Sequence, residues 1–260
     1  MNPRDTLKRL LVAPILYLLG RRRLSISNHS LSSREVTSIR QSSQSQPPSQ
    51  NILDLASLLY SQYTNSAETF KPPRCSISTS PWDIYPNLQT GEHYVLLPLV
   101  AKIFSAINFV EIGTFQGCSA KALLNNTKVN ITTFDIVPWD KISPTFLCDS
   151  DFSSGRIIQF IDDLSCSSTF SNYYEVFSVA DVIFIDGPKN RRFEEKFISL
   201  LFDFYRKSPL GKTIVLVMDD VRTSTMVDIW SSIPYPKIIL DEIGHWSGTG
   251  IVLLDTSCSK

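Results

Sequence analysis

Three aspartates follow directly on two apolar runs. Asp186 comes after Val182–Ile185, and Asp219 and Asp220 come after Ile214–Met218. In an open α/β sheet, ligands bind outside the C-terminal ends of the strands. Carboxylates that converge there repel one another unless a cation neutralises them. Hard oxygen donors suit Mg²⁺ or Mn²⁺, which keeps waters or a substrate oxygen in its remaining positions. Asp186, Asp219 and Asp220 are therefore the candidate metal ligands. The competing role for each is a helix cap or a solvated strand end. A second constellation is Gly244-His245-Trp246-Ser247-Gly248-Thr249-Gly250. His245 is a candidate general base. Trp246 is either a stacking surface for a sugar or aromatic acceptor, or a cover for a sheet edge.

The segment Val110-Glu111-Ile112-Gly113-Thr114-Phe115-Gln116-Gly117 runs from an apolar stretch into CSAKALL. A strand that ends at an acid is followed by a tight loop framed by two glycines. Gly113 permits unusual backbone angles and close approach of a ligand, and Gly117 lets a helix start close to the sheet. The spacing E-x-G-x-x-x-G differs from the dinucleotide motif G-x-G-x-x-G, which packs three glycines to admit a pyrophosphate. Asp135 ends the next apolar run, 24 residues after Glu111. An acid at that point can accept hydrogen bonds from both hydroxyls of a ribose.

These residues need a scaffold. Asn51–Tyr63 and Glu92–Ile107 have helical apolar spacing, the second kinked or started near Pro98. From Asn108 onward short apolar runs alternate with amphipathic stretches. The runs are Phe109–Ile112, Ile131–Phe134, Ile157–Ile161, Val182–Ile185 and Ile214–Met218. Helical candidates are Ser119–Asn125, Arg191–Tyr205 and Thr223–Trp230. Continuous β-branched runs between turns predict strands buried on both faces, hence a parallel sheet with crossover helices. Lys237–Leu240 and Ile251–Leu254 have no room for a crossover helix between them and should pair antiparallel.

Five parallel strands and a terminal antiparallel pair resemble the plan of class I S-adenosylmethionine (SAM) methyltransferases. The likeness spans roughly Thr90 to Asp255. Within it FDIVPWD, FIDGPK, the Met218-Asp219-Asp220 step and GHWSGTG are similar to a branch that includes metal-dependent antibiotic and rhamnosyl O-methyltransferases. The resemblance implies an α/β Rossmann-like class I methyltransferase fold: a mostly parallel seven-stranded sheet, a C-terminal antiparallel hairpin, and helices on both faces. It implies SAM as cofactor, held by Glu111, Gly113, Thr114, Phe115, Gly117 and Asp135, with one of Asp162 and Asp163, Asp163 preferred, beside the adenine; a helix N-cap is the competing role there. It implies Mg²⁺ (or Mn²⁺) as a second cofactor and transfer to a hydroxyl of a small molecule or glycan. Lys189 stands three residues after Asp186, the offset of the general base in catechol O-methyltransferase-type sites, although Gly187-Pro188 replaces that family's bulkier residues. Beside a divalent cation and a sulfonium its pKa should be depressed. With Arg191 and Arg192 it could instead form a basic rim for an anionic acceptor. Two other classes stay open: a nucleotide-binding oxidoreductase, and a non-catalytic SAM-fold protein acting as a membrane-associated partner.

The whole chain has 260 residues, 43% hydrophobic content and formal net charge zero. That suffices for one domain with a substantial core and disfavours an electrostatic nucleic-acid binder. The charge is uneven: residues 1–50 carry +6 and the remainder −6. We divide the sequence into a basic, apolar-then-Ser-rich leader and linker (1–50), an N-terminal helical layer (51–107) and a SAM-binding core (108–260). Leu10–Leu19 is too short to span a bilayer, which takes about 20 residues. With the arginines around it, residues 4–23 read as a peripheral membrane anchor on a cytoplasmic protein, as an organelle import signal, or as a tail docked on its own domain. Five scattered cysteines without CxxC spacing fit a reducing compartment. Three histidines leave little for a His-based metal cluster.

Overall fold

The computed structural model describes residues 50–71, 93–208, 210–240 and 242–256. The expectations for the leader and linker lie outside the described residues. No described helix is long and apolar enough to cross a membrane.

Two helices come first, α1 (Gln50–Thr69) and α2 (His93–Ile103). The core then runs β1 (Asn108–Ile112), α3 (Cys118–Asn126), β2 (Asn130–Asp135), α4 (Asp149–Ser153) and β3 (Ile157–Ile161). It continues α5 (Ser167–Ser171), α6 (Tyr174–Val179), β4 (Val182–Ile185), α7 (Arg192–Lys207) and β5 (Thr213–Met218). It closes with α8 (Val227–Ser232), β6 (Lys237–Ile239) and β7 (Gly250–Asp255). Helix α2 starts before Pro98 and runs through it, losing one backbone hydrogen bond at the ring.

The seven strands form one sheet in the order β3-β2-β1-β4-β5-β7-β6. β1 to β5 are parallel, whereas β7 runs antiparallel to both β5 and β6. This is the mostly parallel sheet with an antiparallel C-terminal hairpin expected from the sequence, the class I methyltransferase fold. The order reverses between β1 and β4, so the crevice above their C-terminal ends is where such a sheet binds ligands.

Both faces of the central strands are buried. Val110, Ile112, Ile183, Ile185, Ile214, Leu216 and Met218 pack with Phe170, Phe177, Phe197, Leu201 and Trp230 from α5 to α8. Alternate residues point the other way along a strand. Phe109, Val182, Phe184, Val215 and Val217 are also fully buried. Their face is covered by the layer to which α2 belongs, since the His93 ring lies 5.2 Å from that of Phe184. Burying a large apolar side chain contributes roughly 1.5–3 kcal/mol, so the central strands are the rigid part of the fold. The chemistry-bearing residues stand at their ends.

Candidate active site

The loop after β1 is built on backbone that few residues other than glycine adopt. Gly113 has φ +103° and Gly117 φ +75°. A Cβ on Gly113 would lie 2.1 Å from the carbonyl oxygen of Asp186, so β1 and β4 approach here at backbone distance. Phe115 also has positive φ (44°), and its ring is exposed. Its amide donates to Asp135 Oδ2 at 2.8 Å, while Oδ1 accepts from the amides of Ile136 and Val137. A carboxylate accepts about four hydrogen bonds, so Asp135 ties the two loops together and keeps capacity on Oδ2.

Two expected cofactor contacts turn inward instead. Glu111 is completely buried, and its carboxylate accepts hydroxyls from Ser119 and, at 2.6 Å, Thr133. Burial pushes its pKa up to about 7, against the lowering effect of those hydroxyls. Thr114 is buried and shares a 2.7 Å hydrogen bond with Thr133. Both side chains brace the loop from beneath rather than face a ligand. Glu111 lies within β1, whose two faces are both buried, so its side chain cannot reach the crevice beyond the strand end. Asp163 lies at the end of β3, exposed, and receives the Ser165 amide at 2.9 Å in a local turn.

The second cluster is dense. Asp186, Asp219 and Asp220 do converge, around the ammonium of Lys189. Lys189 Nζ is 2.7 Å from Asp186 Oδ1, 3.1 Å from Asp220 Oδ2 and 3.9 Å from Asp219 Oδ2. Burial works to lower the lysine pKa, but the three carboxylates outweigh it and hold Lys189 well above the ordinary lysine value. The depression expected of Lys189 belongs to a site that also holds a cation and a sulfonium; facing the three carboxylates alone, the ammonium is stabilised. Burial raises the pKa of Asp219, and Asp186 adds to the effect. Asp220 is only partly buried, and His245, the ammonium of Lys189 and the Ser247 hydroxyl outweigh its desolvation and hold it below the usual carboxylate range.

Backbone strain marks the same place. Lys189, Arg191 and Asp220 all have positive φ without being glycine, and such residues cluster at functional sites. Fully buried Glu194, on α7, accepts the Lys189 amide through Oε1 at 2.7 Å and so fixes that bend.

The glycine-rich segment before β7 folds back over the end of β5. Val221 and Arg222 donate their amides to the carbonyls of Gly248 and Ser247. Thr249 Oγ1 accepts the His245 amide at 2.7 Å. Ser247 Oγ donates to Asp220 Oδ1 and contacts His245 Nδ1. An ionised Asp220 can only accept, so the single hydroxyl proton of Ser247 goes to it. The serine oxygen then accepts from Nδ1–H, which makes Nε2 the lone-pair nitrogen of neutral His245. Trp246 is about half exposed, its ring 5.3 Å from that of His245.

Sequence reasoning missed His93. It opens α2, is buried, and lies against the same carboxylates, with Nδ1 3.6 Å from Asp219 Oδ1. Burial lowers its pKa, partly offset by Asp219 and Asp186. Two of the three histidines, His93 and His245, thus stand beside the aspartates. Donor atoms of His93, Asp186 and Asp219 lie within 4.8 Å of one another, as do those of Asp219, Asp220 and His245. Either set is compact enough for a cation.

No protein-family model and no curated protein sequence matches this chain. Among solved structures, a methyltransferase from Geobacter sulfurreducens is similar at 13% identity and TM-score 0.45, covering 74% of this chain and 96% of its own. A Staphylococcus aureus protein provisionally named a caffeoyl-CoA O-methyltransferase is similar at 14% identity and TM-score 0.39, covering 68% of this chain and 93% of its own. A Klebsiella pneumoniae protein provisionally named an O-methyltransferase is similar at 11% identity and TM-score 0.43, covering 86% and 97%. The activities in those names belong to those proteins.

Proposed function

We propose that this protein transfers a methyl group from SAM to a hydroxyl oxygen of a small molecule or glycan. The observation that carries the proposal is the juxtaposition of two features at one sheet end. The tight glycine loop after β1 touches the backbone of Asp186, and Asp186 opens the acid–base cluster. The first feature suits a nucleoside-type cofactor, and the second suits deprotonation of an acceptor.

In this proposal the backbone of Gly113–Gly117 cradles the cofactor, the spare capacity of Asp135 takes its ribose, and Asp163 borders the adenine. When bound, SAM supplies a methyl group activated by its sulfonium. His245 is the proton acceptor: its Nδ1 proton is held by the Ser247–Asp220 chain, so Nε2 faces the task unprotonated. Lys189 stays charged, orients Asp186 and Asp220, and adds a positive field that favours an alkoxide. The donor set fits a divalent cation as well, because three carboxylates share one ammonium. Such a cation, when bound, lowers the pKa of an acceptor hydroxyl.

Calorimetry with SAM and with NAD, each with and without Mg²⁺, tests the proposal. SAM should bind and NAD should not. Binding of NAD in preference to SAM would replace the methyltransferase by an oxidoreductase, and binding of neither would leave a non-catalytic scaffold.

A further inference from the structure

We infer that the cation site of this chain contains an imidazole: His93 joins Asp186 and Asp219 as a donor, and the site prefers a transition metal such as Mn²⁺, Co²⁺ or Zn²⁺ over Mg²⁺. The inference rests on the proposed function only in taking the cluster at the ends of β4 and β5 as a cation site.

His93 is 3% exposed, and neither ring nitrogen has a hydrogen-bond partner. A buried polar group left unpaired costs about 1–3 kcal/mol, and native structures rarely carry that cost without a reason. Its neighbours on α2, Val95 and Leu96, are buried and apolar. A phenylalanine at residue 93 could pack on Phe184 and Tyr94, whose rings lie 5.2 and 4.2 Å away, without any such penalty. The imidazole is instead aimed at the carboxylates. Its Nδ1 stands 3.6 Å from Asp219 Oδ1, too far for a hydrogen bond and close enough to share a cation.

The geometry and the charge agree. A metal with bonds of about 2.0–2.2 Å brings its donors within about 4.4 Å of each other. The three donor atoms already lie within 4.8 Å, so side-chain adjustments of a few tenths of an ångström suffice. Three carboxylates facing the one ammonium of Lys189 leave two negative charges, which a divalent cation cancels. The alternative set through Asp220 is poorer, because its two oxygens already serve Ser247 and Lys189. Imidazole nitrogen suits first-row transition metals, whereas Mg²⁺ holds to oxygen ligands.

The test uses the full chain, stripped of metal, and does not depend on turnover. Calorimetry compares Mg²⁺, Mn²⁺, Co²⁺ and Zn²⁺, and proton NMR of the Co²⁺ form looks for a contact-shifted imidazole N–H. Co²⁺ and Zn²⁺ should bind at least about tenfold more tightly than Mg²⁺, the order expected when nitrogen enters the donor set. His93→Gln should abolish that preference and the shifted signal, while His245→Gln should keep the signal. Equal affinity for Mg²⁺ and Co²⁺, unchanged in His93→Gln, would overturn the role of His93 and leave an all-oxygen cation site standing. Binding of none of the four metals would remove the cation site itself, and the inference with it. Should His93→Gln fail to fold, the contact-shifted signal decides by its presence in His245→Gln, and its loss there would overturn the role of His93.

Discussion

Replacing Gly113 by alanine should destabilise the fold far more than an exposed loop substitution does, and the reason is a single close approach. Gly113 sits at φ +103°, and the added Cβ would meet the Asp186 carbonyl oxygen at 2.1 Å and its carbon at 2.8 Å. Two costs combine. A side chain in the left-handed region costs about 1–2 kcal/mol, and overpacking against atoms that cannot yield costs about 1–3 kcal/mol. The obstacle is backbone at the end of a fully buried strand, so no side-chain rotation relieves it. The sum is about 2–5 kcal/mol, which for a chain of this size corresponds to a fall in melting temperature of about 4–20 °C. Gly155→Ala is the internal control. Gly155 has a similar left-handed φ of +71° but nothing within 4 Å of its would-be Cβ. It should lose only the conformational part, about 1–2 kcal/mol.

Urea unfolding of both variants and the parent, followed by circular dichroism, gives the two losses. The Gly113 variant should be worse than the Gly155 variant by at least about 1 kcal/mol. In a folded Gly113→Ala protein the displaced Asp186 should also weaken metal and SAM binding. If the two alanine variants lose the same stability, the contact between the first loop and Asp186 is wrong, and with it the adjacency on which the proposed function rests.

Further outcomes follow from single groups. Glu111 has its folded pKa raised from 4.5 to about 7 by burial. The folded state therefore holds that proton while the unfolded chain releases it, and stability is full below pH 4.5 and falls by about 3 kcal/mol as pH rises to about 7. Glu111→Gln should flatten that slope in denaturation series. A slope unchanged by the substitution would show that Glu111 is not its source. Asp220 behaves in the opposite sense, since its lowered pKa gives stability that is present above its ordinary value of 3.8 and lost only in stronger acid. Glu194→Ala should free the Lys189 amide at a cost of about 1–3 kcal/mol, whereas Glu194→Gln keeps an acceptor oxygen and should cost less; equal losses in urea unfolding would refute the bond's importance. Ser247→Ala should shift the ring of His245 toward the Nε2–H tautomer, read by ¹⁵N NMR. An unchanged tautomer would mean that the Ser247–Asp220 chain does not set it.

The sequence was most informative where burial is two-sided. Runs such as Val182–Ile185 and Ile214–Met218 announce parallel strands, and the acids directly after them lie at strand ends because the apolar run stops there. The insertion of β7 between β5 and β6 was not legible, since pairing order depends on contacts far apart in the chain. Helices α4, α5 and α6 are too short, at five or six residues, to show a helical period. Glu194 stands in the first turn of α7, where acids commonly complement the helix dipole from the surface. Only the bend at Lys189, whose positive φ no residue type there announces, gives it a backbone amide to hold. His93 was hidden for a related reason. It precedes Asp219 by 126 residues and begins an apolar helix, so its spacing says nothing of carboxylates. Lys189 teaches the converse. Its offset from Asp186 was readable, but its charge state was not, because that depends on how many of the three aspartates face it at once. The aspartates could be counted from the sequence. The division of their charge between an ammonium and two imidazoles is a property of the folded sheet end alone.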